Sequence, residues 1–290
     1  ASAKTYGDLT YEVSNGKVTI TDCANTATQV DIPEKIDGCP VTALGFEAFK
    51  YCNKLTSVTI PDSVVDLNVG VFGYCYELTS ITIPRSVVEI SYKAFENCKN
   101  LTSVIIGDGV QRIESRAFSG CKNLKIINIP DGMTDIGSYA FSQCESLKTI
   151  TIPDSVKSIG QNAFELCYSL NSVIISNNVE KIEGYTFRGC QNLSSIVIPD
   201  GVTQILYQAF YFCDNLSAVF IPESVESIGP ETFSGCGKLT DVYYGGTQSQ
   251  WNKINIGYSN YRLTDATIHY QYKPKDHSVD DYIIAEVSKY

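Results

Sequence analysis

The chain has 290 residues, 43% hydrophobic and 19% charged, which supplies ample material for a core and does not fit a disordered chain. Its formal net charge of −10 argues against binding nucleic acid or an anionic membrane surface, because both need clustered Lys and Arg. No run of about 18 apolar residues occurs, so no segment reads as a membrane-spanning helix.

The chain opens Ala1-Ser2-Ala3-Lys4 without Met, which suits either a mature secreted protein trimmed of its signal or a cloning remnant. Cys23 and Cys39 lie ahead of the repeat described next, and a disulfide between them stays open at this point.

From residue 46 to 241 the chain is periodic. Cys52, Cys75, Cys98, Cys121, Cys144, Cys167, Cys190, Cys213 and Cys236 recur every 23 residues, nine copies without an insertion. A Phe stands three residues before each, from Phe49 to Phe233, and a Leu three residues after, from Leu55 to Leu239. A fixed period of this length marks stacked structural repeats.

Each unit has a physical reading. Val58-Thr59-Ile60 alternates inward, outward, inward, as a half-buried strand does. Pro61-Asp62-Ser63 turns the chain, and Val64 and Leu67 point back inward. Ala48-Phe49 and Cys52 sit at helical spacing, which predicts a short helical turn with Phe and Cys on one face. One unit cannot bury its own apolar face, and stacking at about 4.8 Å per turn buries all of them, in a core roughly 40 Å long. The predicted fold is therefore α/β, a solenoid of stacked 23-residue units with a parallel β-sheet face and short helical turns.

Little in the unit points to catalysis. The two histidines, His269 and His277, lie outside the repeat, so the ladder cysteines have no base beside them. A 23-residue spacing places cysteines in a ladder, not around a zinc ion. Parallel Cβ vectors about 4.8 Å apart disfavour disulfides along it, so buried free thiols are expected. Asp62, Asp108, Asp131, Asp154, Asp200 and Glu223 form an acidic column, interrupted by Arg85 and Asn177, that reads as turn chemistry or, alternatively, as a calcium stripe.

The outward strand positions vary. The column runs Thr59, Thr82, Ile105, Asn128, Thr151, Ile174, Val197, Phe220, Tyr243, polar at first and apolar or aromatic over its last four members. An exposed apolar patch signals binding, so Ile174, Val197, Phe220 and Tyr243 are the candidate ligand-binding residues. The competing readings are ladder packing or cover by the C-terminal segment. A second aromatic group, Tyr207, Tyr211 and Phe212, sits at the turn of one unit and reads as incidental.

After the repeat, Thr247 with Gln250 predicts a capping box, and Trp251 is expected to cover the last open turn. Lys273-Pro274-Lys275-Asp276 reads as a linker, and Ser278 with Asp281 starts an amphipathic helix carrying Val279, Tyr282, Ile283, Val287 and Tyr290.

The recurring L-T-S-V-T-I-P-D-S-V and I-G-x-x-A-F-x-x-C resemble the BspA-like, or Treponema-type, leucine-rich-repeat family over about residues 8–270. Val30-Asp31-Ile32-Pro33 with Gly38-Cys39-Pro40-Val41 resembles that family's N-terminal module. Val242-Tyr243-Tyr244-Gly245-Gly246-Thr247, Gln250-Trp251 and Ala266-Thr267-Ile268-His269-Tyr270 resemble its C-terminal cap. The organisation expected is an N-terminal cap over 1–45, the solenoid over 46–241, a C-terminal cap over 242–270, and a linker with a short helix over 271–290. The resemblance implies a secreted or surface-attached bacterial protein that binds a host or microbial surface protein. The alternative is a polysaccharide-targeting module of a larger secreted enzyme. A monomer without cofactor, metal or enzymatic activity is expected.

Overall fold

The computed structural model describes residues 3–273, in two compact units divided after Ser146. The linker from Pro274 and the helix read at 278–290 lie outside the described residues, as does His277.

Each unit is a stack of similar turns, and each turn contributes two short strands. In the first unit the face strands are Gln29–Asp31, Ser57–Thr59, Ser80–Ile83, Ser103–Ile106 and Ile126–Ile127. Neighbours pair in parallel, Gln29 opposite Ser57 at a 28-residue offset and the later ones at 23, as in Ser80↔Ser103 and Ser103↔Ile126. A second parallel ladder runs through Asp66–Leu67, Glu89–Ile90, Arg112–Ile113 and Asp135–Ile136. Three antiparallel strands, Lys4–Tyr6, Leu9–Ser14 and Lys17–Cys23, lead into this ladder through the parallel pair Lys17–Cys23 and Cys39–Leu44. In the second unit the face strands are Thr149–Thr151, Ser172–Ile174, Ser195–Val197, Ala218–Ile221, Asp241–Tyr244 and Thr267–His269. Residues 246–270 form a longer last turn of the same kind, since Asn255–Ile256 and Thr267–His269 pair in parallel with the strands of the preceding turn.

The core is a set of columns. Phe72, Phe95, Phe118 and Phe141 stack nearly parallel with ring centroids 5.2–5.5 Å apart, and Phe164, Phe187, Phe210 and Phe233 do the same in the second unit at 5.3–5.6 Å. Threonines add a polar ladder ahead of the early face strands. The hydroxyls of Thr56, Thr79 and Thr102 each donate to a carbonyl one turn back, which explains the recurrent Leu-Thr-Ser.

The Phe–Cys segment is not helical, contrary to the predicted short helical turns. Helices among the described residues are confined to Gln248–Trp251 and Tyr261–Thr264. Glu47 and Tyr51 adopt φ of 52° and 63°, and the same two positions are left-handed in later turns, as at Lys93 and Asn97 or Gln208 and Phe212. This alternation aims every second N–H along the stack. Phe49 donates to Val71 O and Tyr51 to Gly73 O, while Lys50 and Cys52 donate within their own turn. A left-handed non-glycine residue costs about 1–2 kcal/mol, and the cross-turn hydrogen bonds hold it in place.

The ladder thiols also have a role that hydrophobicity alone does not reveal. Cys75 Sγ donates to Phe49 O at 3.0 Å, and the pattern recurs from Cys98 to Phe72, Cys190 to Phe164 and Cys236 to Phe210. A buried carbonyl thus gains a second donor from a side chain small enough for the column. All eleven cysteines are free, so Cys23 and Cys39 are not bonded to each other. Burial pushes the Cys236 thiol up to about 12, so it is protonated at neutral pH. Labelling of the native protein with a thiol reagent is accordingly expected to be slow. Unfolding without reductant should release at least the nine ladder thiols. Rapid native labelling of most cysteines would contradict the buried ladder.

Candidate binding face

In the second unit, Val197, Phe220 and Tyr243 align on adjacent parallel strands, with Val197↔Phe220, Phe220↔Tyr243 and Tyr243↔His269 in register. Ile174 belongs to a separate two-stranded ladder, paired with Thr151, and is half-buried like Val197. The structure therefore brings three of the four candidate residues into one sheet and leaves Ile174 on another.

Phe220 and Tyr243 do not face solvent as the alternation predicts; they are 2% and 8% exposed. The chain beyond Thr267–His269 covers them. Gln271, at φ 56°, turns the backbone, Gln271 N–H donates to Gly246 O at 2.8 Å, and Tyr272 N–H donates to Tyr244 O at 3.0 Å. Those bonds lay the Tyr272 ring 4.8 Å from Tyr243 and 6.0 Å from Phe220. His269 stacks on Tyr243 at 4.6 Å, with its Nε2 2.7 Å from Asp241 Oδ1. Burial works to raise the Asp241 carboxyl, and the hydrogen bonds from His269 and Thr240 outweigh it, so its pKa lies below the ordinary value. With Ala218 beneath and Val197 at the side, the outward aromatic row forms a small second core. The competing reading, cover by the C-terminal segment, is the one that holds, and Tyr272 and His269 are the covering residues that the sequence reading did not name. The signal for Tyr272 was the Tyr270-Gln271-Tyr272 alternation after the last strand.

The family model described as the BspA type leucine-rich repeat region matches residues 42–171 and 157–273, most of the described chain. The chain belongs to the BspA-type leucine-rich-repeat family. Among solved structures, it resembles a leucine-rich-repeat protein from Bacteroides ovatus at 28% identity and a TM-score of 0.66, over 92% of this chain and 70% of that one. It also resembles the leucine-rich-repeat protein of T. pallidum, at 24% identity and a TM-score of 0.50, over 94% of this chain and 100% of that one. A leucine-rich cell surface protein from Faecalibacterium prausnitzii matches at 26% identity and a TM-score of 0.46, over 88% and 98% of the two chains. A search of curated proteins finds no match.

Elsewhere on this BspA-type chain, exposed apolar groups occur in two kinds of place. On the outward strand face of the first unit, Ile105 and Ile126 are 56% and 66% exposed. They lie on neighbouring strands, Ile126 opposite Ser103 and Ile105 two residues further along. Asn128 ends the Ile126–Ile127 strand there, because its side-chain amide takes both the N–H and the carbonyl of Ile106. At the Phe–Cys turns, aromatic rings gather beside cationic side chains. Arg188 lies over Tyr185 and Tyr211, and exposed Tyr207 accepts a hydrogen bond from Gln161 Nε2 at 2.6 Å. In the acidic column, Asp154 accepts from the N–H and side-chain amide of Asn177 on the following turn. Among the described residues no three His, Cys, Asp or Glu side chains gather to hold a metal ion.

Proposed function

We propose that this BspA-type leucine-rich-repeat protein is a non-catalytic recognition protein of the bacterial exterior that binds a protein ligand through the outward face of its parallel strands. The observation that carries the reading is the exposed pair Ile105 and Ile126 on adjacent strands, where every inward position of the same turns repeats an apolar residue. The constant inner face fulfils the fold, and the changing outer face is free to specify a partner. In the second unit, Ile174 and Val197 are half-buried on outward strand positions and are candidates in their own right, Val197 beside the covered Phe220 and Tyr243. The exterior setting and the choice between host and microbial partners belong to the proposal and rest on the family resemblance. No helix among the described residues is long and apolar enough to cross a membrane.

A screen of the whole chain against immobilised host matrix proteins and bacterial surface proteins tests this. Saturable binding to at least one protein is expected. Ile105→Lys with Ile126→Lys should weaken it by about thirtyfold or more, as loss of a desolvated anchor worth about 2 kcal/mol does. Both side chains are exposed, so melting should barely move, by roughly 0.5 kcal/mol in stability. Binding that survives changes at Ile105, Ile126, Ile174 and Val197, or no saturable binding to any protein, would overturn the reading.

A further inference from the structure

A notch on the turn side of the first unit has no counterpart in the function proposed above. Its floor is Gly70 and Gly73, and its volume is about 250 Å³. The neighbouring turns carry long side chains at these positions, Glu47 and Lys93 in register with Gly70, and Lys50 and Glu96 in register with Gly73. Gly70 is left-handed at φ 64°, yet Glu47 and Lys93 adopt φ 52° and 59° at the same place, so backbone geometry does not demand glycine. What the two glycines do is remove one turn's side chains and open a gap between the flanking ones.

We propose that this notch binds a single ring of a neutral saccharide, as one residue of a longer glycan. Phe46, Tyr51, Tyr74 and Tyr92 supply the walls. Phe46 is 67% exposed, unusual for a phenylalanine with no core role, and the Tyr51 and Tyr74 rings lie 5.0 Å apart at 31°. The exposed Phe46 ring suits the flat C–H face of a sugar ring, with the tyrosines closing the sides. The rim carries two ion pairs, Lys50 Nζ with Glu47 Oε1 at 2.6 Å and Lys93 Nζ with Glu96 Oε2 at 3.5 Å. The Glu96 side chain is only 9% exposed, so this carboxylate is a fixed acceptor at the edge of the gap.

The charges decide the class of ligand. Two ammonium groups and two carboxylates cancel, so an ion gains no net attraction, whereas a polyol finds donors and acceptors side by side. A cationic side chain is poorly served, because Lys50 already lies 5.3 Å from the Tyr51 ring and Lys93 5.2 Å from Tyr92. A protein surface needs a broader patch, on the order of 800 Å² per partner. The notch is smaller than the roughly 300–1,000 Å³ of sites for drug-sized ligands, which limits it to one ring at a time.

The test is titration of the full chain with cellotetraose, maltotetraose, xylotetraose and tri-N-acetylchitotriose, followed by calorimetry and tyrosine fluorescence. At least one should bind saturably. Gly70→Lys with Gly73→Lys should abolish that binding and lower melting by a few degrees at most, because Gly70 is left-handed but adjacent turns accommodate Lys93 and Lys50 at the equivalent positions. The only close approach of a Cβ at Gly70 is to the flexible Glu47 side chain at 3.1 Å. Should the glycine variant melt early, Tyr51→Ala with Tyr92→Ala decides, and at least a tenfold loss of affinity is expected. Binding by none of the four saccharides, or binding untouched by these variants, overturns the proposal. Protein binding through Ile105 and Ile126 should be unaffected in either case, so the two readings fail separately.

Discussion

Ending the chain at Asp241 is expected to cost the second unit much of its stability and to make the protein self-associate. The truncation removes the strand that pairs with Ala218–Ile221 and the strand that pairs with Ser227–Ile228. It also removes Tyr244 and Trp251, which pack edge to face at 5.1 Å, and the buried Leu263. What remains is an open parallel edge above an apolar interior, a template for pairing with another copy. Burial of one large apolar side chain contributes about 1.5–3 kcal/mol, so losing several should lower melting by on the order of 10 °C or more. Sedimentation would report the association and calorimetry the melting. Trp251→Ala is the milder companion, with an expected loss of about 3–5 kcal/mol. A monomeric truncation that melts like the whole chain would show that these residues do not close the stack.

Phe220→Ala with Tyr243→Ala is expected to melt the protein early, the opposite of what an exposed aromatic pair would do. A buried Phe truncated to Ala costs about 3–5 kcal/mol, and Phe220 meets that condition at 2% exposure. Both residues touch the same cover, so the double variant should fall short of the sum of the singles. Tyr272→Ala isolates the cover: it should cost less, and it should raise the accessibility of Tyr243. Thr59→Ala with Thr82→Ala, exposed at the polar end of the same column, should change stability by roughly 0.5 kcal/mol or less. If the aromatic pair leaves melting unchanged, Tyr272 does not hold its place in solution, and Phe220 and Tyr243 return as ligand anchors.

The amino-acid sequence by itself determined the period, the inward columns and the unpaired state of the ladder thiols. These follow from local alternation repeated in register, so Phe95, Cys98, Leu101 and Val104 had only one common place to go. The capping box at Thr247 and Gln250 was equally legible, because it is complete within four residues and forms as expected.

Two features were decided only by tertiary structure. Residues three apart share a face in a helix and also in the left-handed turns seen here. Spacing alone could not distinguish Ala48-Phe49…Cys52 as a helix from the turn that forms, and the deciding groups are the carbonyls of Val71 and Gly73 one turn away. Alternation likewise places Phe220 and Tyr243 on the outer face, and there they are, but it is silent on what lies over that face. The cover arrives from Tyr272, positioned by main-chain hydrogen bonds to Tyr244 and Gly246 that no pattern in the repeat announces. Outwardness is a property of the strand; exposure is a property of everything that folds back onto it.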